Sequence, residues 1–217
     1  HKDICHELEA HFKIIQSCSI ETDSGERILL AARPESRYPY FYPRDGACAS
    51  GLLAYLSTSD LPVADDAYEL LKSIASFVLK ILRGDGYIGQ RYSLSSEEKS
   101  VYKQEDNNAH GLIILCNYLL TAEARGESIQ DIDRFLLSIN NASQFAIKNY
   151  YRPEINLFHS TTSIHESALE EGFSCWTNFA YLKAFTLVSR VNDDLDTPDI
   201  ISDKILAFKS AFKHNLF

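Results

Sequence analysis

The stretch Tyr38-Pro39-Tyr40-Phe41-Tyr42-Pro43-Arg44-Asp45-Gly46-Ala47 decides how the rest of the chain reads. Pro39 and Pro43, with Pro34 upstream, fix φ and remove backbone donors. They forbid regular helix and predict an extended loop over residues 33–45. Asp45 suits a helix cap, and a helix is expected over residues 46–56. A long aromatic loop feeding a helix is the first unit.

Outward from it helices and loops alternate, without a convincing internal repeat. Ile4, Leu8, Phe12 and Ile15 step by four and three, so residues 1–19 are predicted as one amphipathic helix. A turn with Gly25 and a short extended run over 28–32 follow. Ser59-Asp60-Leu61-Pro62 opens a third helix to residue 82, with Leu70, Leu71, Ile74, Val78 and Ile81 on its core face. Gly84-Asp85-Gly86 stops it; residues 87–92 are extended and 93–103 form a polar loop. Asn107 or Asn108 caps a fourth helix carried by Leu112, Ile113, Leu115, Cys116 and Leu119. Ile129, Ile132, Leu136, Ile139 and Phe145 mark a fifth. A long loop over 151–171 precedes a sixth, from near Ser174 to Val191, and Thr197-Pro198 opens a seventh. Long loops (33–45, 84–106, 151–173) alternate with short ones (57–62, 123–128). That predicts an all-α stack of about seven helices in toroid-type hairpins, over one domain, residues 1–217. The long loops would gather on one face as a pocket.

Composition narrows the class. The chain has 217 residues, 45% apolar and 24% charged, which excludes a disordered chain, a collagen and a disulfide miniprotein. Twenty-one basic against 30 acidic residues give a net charge of −9, which argues against nucleic acid and anionic membrane as partners. No apolar run approaches the roughly 20 residues that span a bilayer. Five widely spaced cysteines contain no C-x-x-C. Cys48, Cys116 and Cys175 read as buried, and reduced thiols favour the cytoplasm. There is no Met, which suits an internal piece of a longer chain, omission of modified methionines, or chance.

Three loops carry candidate chemistry. In the first, tyrosine faces suit the apolar faces of sugar rings, while Arg44 and Asp45 offer a donor fork and an acceptor pair for vicinal hydroxyls. The plainer alternative is an Arg–Asp ion pair with Asp45 only a cap. The second leads into Gln104-Glu105-Asp106-Asn107-Asn108, or is simply a solvated loop with an Asn cap. The third contains His159, His165, Glu166, Glu170 and Glu171 just before a helix. Adjacent carboxylates raise one another's pKa, as a general acid requires; their alternative is to complement the helix dipole. The His spacing matches no metal motif, and no G-x-S-x-G, Walker loop or GxGxxG occurs.

Taken in this order, the segments resemble glycoside hydrolase family 15, the glucoamylase family. The stretch from Tyr38 to Ala47 is similar to that family's tyrosine-rich run ending in Trp-x-Arg-Asp. Gly86-Tyr87-Ile88-Gly89-Gln90-Arg91-Tyr92, the Gln-x-Asp of Gln104 and Asp106, and the carboxylate-rich loop support it. The resemblance implies an (α/α)6 toroid of twelve helices. It implies hydrolysis of α-glucosidic bonds with inversion, one Glu protonating the leaving oxygen and another activating water. It implies that Arg44 and Asp45 grip the terminal sugar, that Tyr38 stacks beneath it, that Tyr42 stands in place of the usual Trp, and that Gln104 and Asp106 join the substrate site. Glu170 is the implied general acid when counted back from Ala180, and Glu166 when counted forward from Asn156-Leu157-Phe158. No metal or organic cofactor is required, and the expected partner is an oligosaccharide or polysaccharide. Seven helical runs instead of twelve suggest half a barrel, with the base outside it. Such a half would expose an apolar seam, predicting a homodimer through it or a chain with residues missing. A non-catalytic sugar-binding or regulatory toroid fragment is the second reading, and a helical scaffold without a sugar site the third.

Overall fold

The structure is a computed structural model that describes residues 2–22, 25–162, 171–194 and 202–215. In chain order they form α1 (Lys2–Ser17), β1 (Ser19–Glu21), β2 (Arg27–Leu29), α2 (Pro43–Ser57), α3 (Ala64–Ile81), α4 (Asn107–Ala124), α5 (Ile132–Asn149), β3 (Tyr151–Arg152), β4 (Leu157–Phe158), α6 (Cys175–Asp194) and α7 (Ser202–Asn215). The class is all-α, with strands confined to two small antiparallel hairpins, β1–β2 and β3–β4. The second hairpin lies inside what the sequence suggested was structureless loop.

Helix starts differ from expectation for local reasons. α2 begins at Pro43, because a residue without an N–H is at home in a first turn. Tyr42 is therefore the cap, and Asp45 sits inside the first turn instead. α3 begins at Ala64, since Ser59 and its neighbours make a turn in which Leu61 N–H bonds the Ser59 hydroxyl at 3.3 Å. α4 is preceded by Asp106, not capped by Asn107 or Asn108. Asn108 is drawn into tertiary bonds: its Nδ2 donates to Gly86 O at 2.6 Å and Ala142 O at 3.3 Å, and its Oδ1 accepts from Ile88 N at 3.3 Å. That holds the 86–88 turn against α5. Gly86 has φ +92°, and a Cβ there would stand 2.1 Å from Asn141 O, so only glycine fits.

α4 is the axis of the molecule. Residues 107–119 are buried without a break, as expected of a helix apolar on all sides. It packs against α2 and α6, with α3 and α5 also against it, while α1 and α7 flank the stack. Asn117 Nδ2 donates to Ser50 Oγ at 2.9 Å, and Arg125 Nη1 to Ser57 O at 2.6 Å. The sequence offsets of these pairs are 67 and 68, so α2 and α4 run parallel. Their N-terminal ends share one end of the stack, and a Trp176–Asp106 hydrogen bond brings the start of α6 to the same place. Close approach depends on Gly46, where a Cβ would meet the Phe41 ring at 2.9 Å and Ile114 Cδ1 at 3.1 Å.

Candidate active site

The long loops are stitched together at this end. Phe41 and Tyr92 exchange two backbone hydrogen bonds of 2.9 Å, joining the first loop to the second. Ser160 and Gly172 exchange two of 2.8 Å, so the third loop leaves and returns at one point. Glu105 fastens that point to the second loop. Its carboxylate accepts from Thr161 N at 3.1 Å and Thr161 Oγ1 at 2.6 Å, with Lys103 Nζ 3.8 Å away. The Tyr181 hydroxyl donates to Glu105 O, fixing the same corner to α6.

The first turn of α2 presents Arg44 and Asp45, both half-buried. Burial raises the Asp45 pKa, and the charges of Arg44 and His110 offset this only in part. Asp106, at the start of α4, is fully buried. Its Oδ2 accepts from Trp176 Nε1 at 2.8 Å and lies 3.3 Å from His110 Nε2. An ionised carboxylate only accepts, so this pairing places the proton on His110 Nε2. Burial pushes the Asp106 pKa up, but the His110 bond and charge, the Trp176 bond and Arg44 outweigh it and hold the carboxyl below its usual value. Asp106 Oδ1 and His110 Nδ1 are buried without a hydrogen-bond partner among the described residues.

A cavity of about 220 Å³ opens between α2, α4 and α6 and is lined by Cys48, His110, Ile113, Trp176, Phe179 and Lys183. Cys48 and Cys175 are exposed and only Cys116 is buried, contrary to the sequence expectation for the first two. Cys48 faces the cavity and Cys175 is the first residue of α6, placements that an apolar sequence context does not reveal.

The expected site residues separate into groups. Arg44 and Asp45 stand together within electrostatic reach of the cavity-lining His110. Tyr38 is 58% exposed in the first loop. Tyr42 is buried, its hydroxyl accepting from Arg91 Nη1 at 3.3 Å. Gln104 and Asp106 are both buried at the start of α4. Glu166 and Glu170 lie outside the described residues. Their described neighbour Glu171 lies 3.7 Å from His159. The sequence reading quoted Glu105 within its run without giving it a role, and overlooked His110 and Trp176. His110 was legible in principle, four residues after Asp106 on the same helical face. Trp176 carried one signal, as the sole Trp of the chain.

No helix among the described residues is long and apolar enough to cross a membrane. No protein-family model matches the chain, and no curated protein sequence matches it. Solved glycosidase structures do share its fold. A tyrosine-to-phenylalanine glycosidase variant matches over 95% of this chain, with TM-score 0.64 and 16% identity. A glutamate-to-alanine variant in complex with glucose matches over 95%, with TM-score 0.64 and 17% identity. The wild-type glycosidase matches over 96%, with TM-score 0.62 and 18% identity. In each case the match covers 55% of the solved chain, so this chain spans about half its length. What is shared at this identity is the fold: the helices are arranged as in just over half of a glycosidase.

Proposed function

We propose that the chain is part of a glycoside hydrolase resembling glucoamylase, which cleaves α-glucosidic bonds of oligo- or polysaccharides with inversion. One observation carries the reading. The half-buried Arg44–Asp45 pair stands where three inner helices begin, beside the anchored ends of the segment bearing Glu166 and Glu170. Asp45 accepts hydroxyl protons of the terminal sugar and Arg44 donates to its oxygens. Those hydroxyls replace the solvation that burial withholds from Asp45. Gln104 and Asp106, both buried, serve the site from behind, Asp106 by holding Trp176 and His110. Glu170, or failing that Glu166, protonates the glycosidic oxygen as the bond to the anomeric carbon breaks. A water attacks that carbon from the opposite face and passes its proton to a second carboxylate about 6.5–9.5 Å from the acid. That base belongs to the remainder of the barrel, of which residues 1–217 form about half. The similarity to a glycosidase solved with glucose supports the choice of sugar.

The test uses the protein carrying the whole barrel. Glu170→Gln should slow disaccharide hydrolysis by about 10²–10⁴-fold. It should spare α-glucosyl fluoride, whose leaving group needs no proton. Sparing by Glu166→Gln instead moves the acid to Glu166, and sparing by neither rejects both. Sugar binding lost in Asp45→Ala, with no hydrolysis from the whole barrel, would favour the non-catalytic binding fragment.

A further inference from the structure

We propose that Trp176 is the stacking platform for a pyranose ring and that Asp106 is the positioning residue that aims it. This rests on the saccharide reading above for the class of ligand, and on different residues for its geometry.

Trp176 is an unusual tryptophan. Its ring is 38% exposed, yet its N–H is bound at 2.8 Å to a carboxylate that is 0% exposed. One edge is anchored in the interior while part of the ring stays wet. A charge-assisted hydrogen bond from a fixed acceptor removes much of the rotamer freedom that an exposed indole would keep. The acceptor is itself fixed, since His110 on the same helix holds Asp106 at 3.3 Å. The His110 ring packs 6.4 Å from the indole at a tilt of 47°. Phe179, three residues along α6, is 47% exposed and extends the aromatic surface, braced edge-on by Phe212 at 4.7 Å.

These rings form one wall of the 220 Å³ cavity. Arg44 and Asp45 stand to one side, and Lys183, which is exposed, contributes a cation on another. An apolar wall with polar groups at its margins matches a pyranose, whose C–H face is apolar and whose hydroxyls point outward around the ring. Aromatic surface with a few convergent polar groups is the ordinary composition of a small-ligand site. A preset indole also binds without first being ordered, which improves affinity.

Residues 1–217 contain one tryptophan, so the part of the emission change that Trp176→Phe removes reports this residue. Maltose, isomaltose and glucose are titrated into the protein, with emission and calorimetry recorded in parallel. The expected result is a saturable emission change whose Kd equals the calorimetric one for at least one saccharide. Trp176→Ala should weaken that Kd by about tenfold or more, and Trp176→Phe, which keeps an apolar face, by about threefold or less. Asp106→Asn should shift the emission to the red, raise quenching by acrylamide and weaken binding about fivefold, while circular dichroism stays native. If Asp106→Asn does not fold, the two Trp176 variants decide the matter alone. Calorimetric binding with unchanged emission and no loss in Trp176→Ala overturns the platform and leaves the saccharide reading intact. Absence of heat with all three sugars overturns that reading, and the platform with it.

Discussion

Asp45 and Asp106 stand at the starts of two neighbouring parallel helices, and their surroundings pull them in opposite directions. Burial penalises the charge of both, and Arg44 and His110 attract both. Asp106 has in addition two hydrogen bonds, from Trp176 and His110, and its pKa falls. Asp45 has the attraction of Arg44 and His110 alone among the described residues, and its pKa rises. The difference separates two kinds of carboxylate. One has an oxygen held by two donors of the protein and fixes structure. The other has charges near it but no such bonds among the described residues, within electrostatic reach of the cavity-lining Cys48 and His110, where a ligand's hydroxyls can bond it.

The largest expected effect is at the hydrogen-bonded carboxylate, Asp106. Asp106→Ala leaves the Trp176 and His110 donors without their acceptor, one of them in a sealed site, and should cost about 2–4 kcal/mol. Thermal melts at pH 7 should show Tm lowered by about 5–12 °C. The pH dependence has a definite sign. The folded pKa lies below the unfolded one, so in the acid range the unfolded chain binds more protons. The stabilisation from Asp106 is complete above the unfolded value of about 3.9 and is lost as pH falls through the folded one. Melts from pH 7 down to pH 2.5 should therefore show a shallower acid decline in Asp106→Ala than in the wild type. Parallel declines would break the contrast.

Asp45→Asn should move stability the other way. Here the folded pKa exceeds the unfolded one, so the folded state binds the proton more tightly and the ionised carboxylate costs stability above both values. Removing the charge should raise Tm at pH 7 by about 1–3 °C. The gain should fade below the unfolded value, where Asp45 is protonated in either state. Maltose affinity should fall by about 10–100-fold in the same variant. A lowered Tm would make Asp45 structural and erase the distinction from Asp106.

What the sequence could show of this follows from distance along the chain. Leu70, Leu71, Ile74, Val78 and Ile81 repeat at helical spacing, and all five are buried on α3. Arg44 and Asp45 are adjacent, so the pair proposed for the sugar is readable as a motif. Asp106 and Trp176 are 70 residues apart, and Glu105 and Thr161 are 56 apart. No local pattern connects such pairs, because the packing of α6 and of the loop before it against the start of α4 is what brings them together. Asn108 shows the same limit at smaller scale. Its side chain looked like a helix cap and instead serves a turn 22 residues upstream. Helices start at Pro43 and Ala64, away from the expected positions, because proline tolerates a first turn and a Ser-Asp-Leu-Pro run also makes a turn.

The smallest effect, and the finest division of rim from floor, is expected at Tyr38. It is 58% exposed, and its backbone N–H is held by Ser36 Oγ at 3.2 Å. Tyr38→Ala keeps that backbone bond and removes only an exposed ring, so stability should change by no more than about 0.5 kcal/mol. If the ring stacks on the sugar, maltose affinity should still fall by about three- to tenfold. Calorimetry and melts on the one variant read both numbers. Weaker binding at unchanged Tm places Tyr38 with Asp45, among groups that the protein leaves open for a ligand. A lowered Tm at unchanged affinity places it with Asp106, and the aromatic wall of the cavity is then supplied by α6 without help from the first loop.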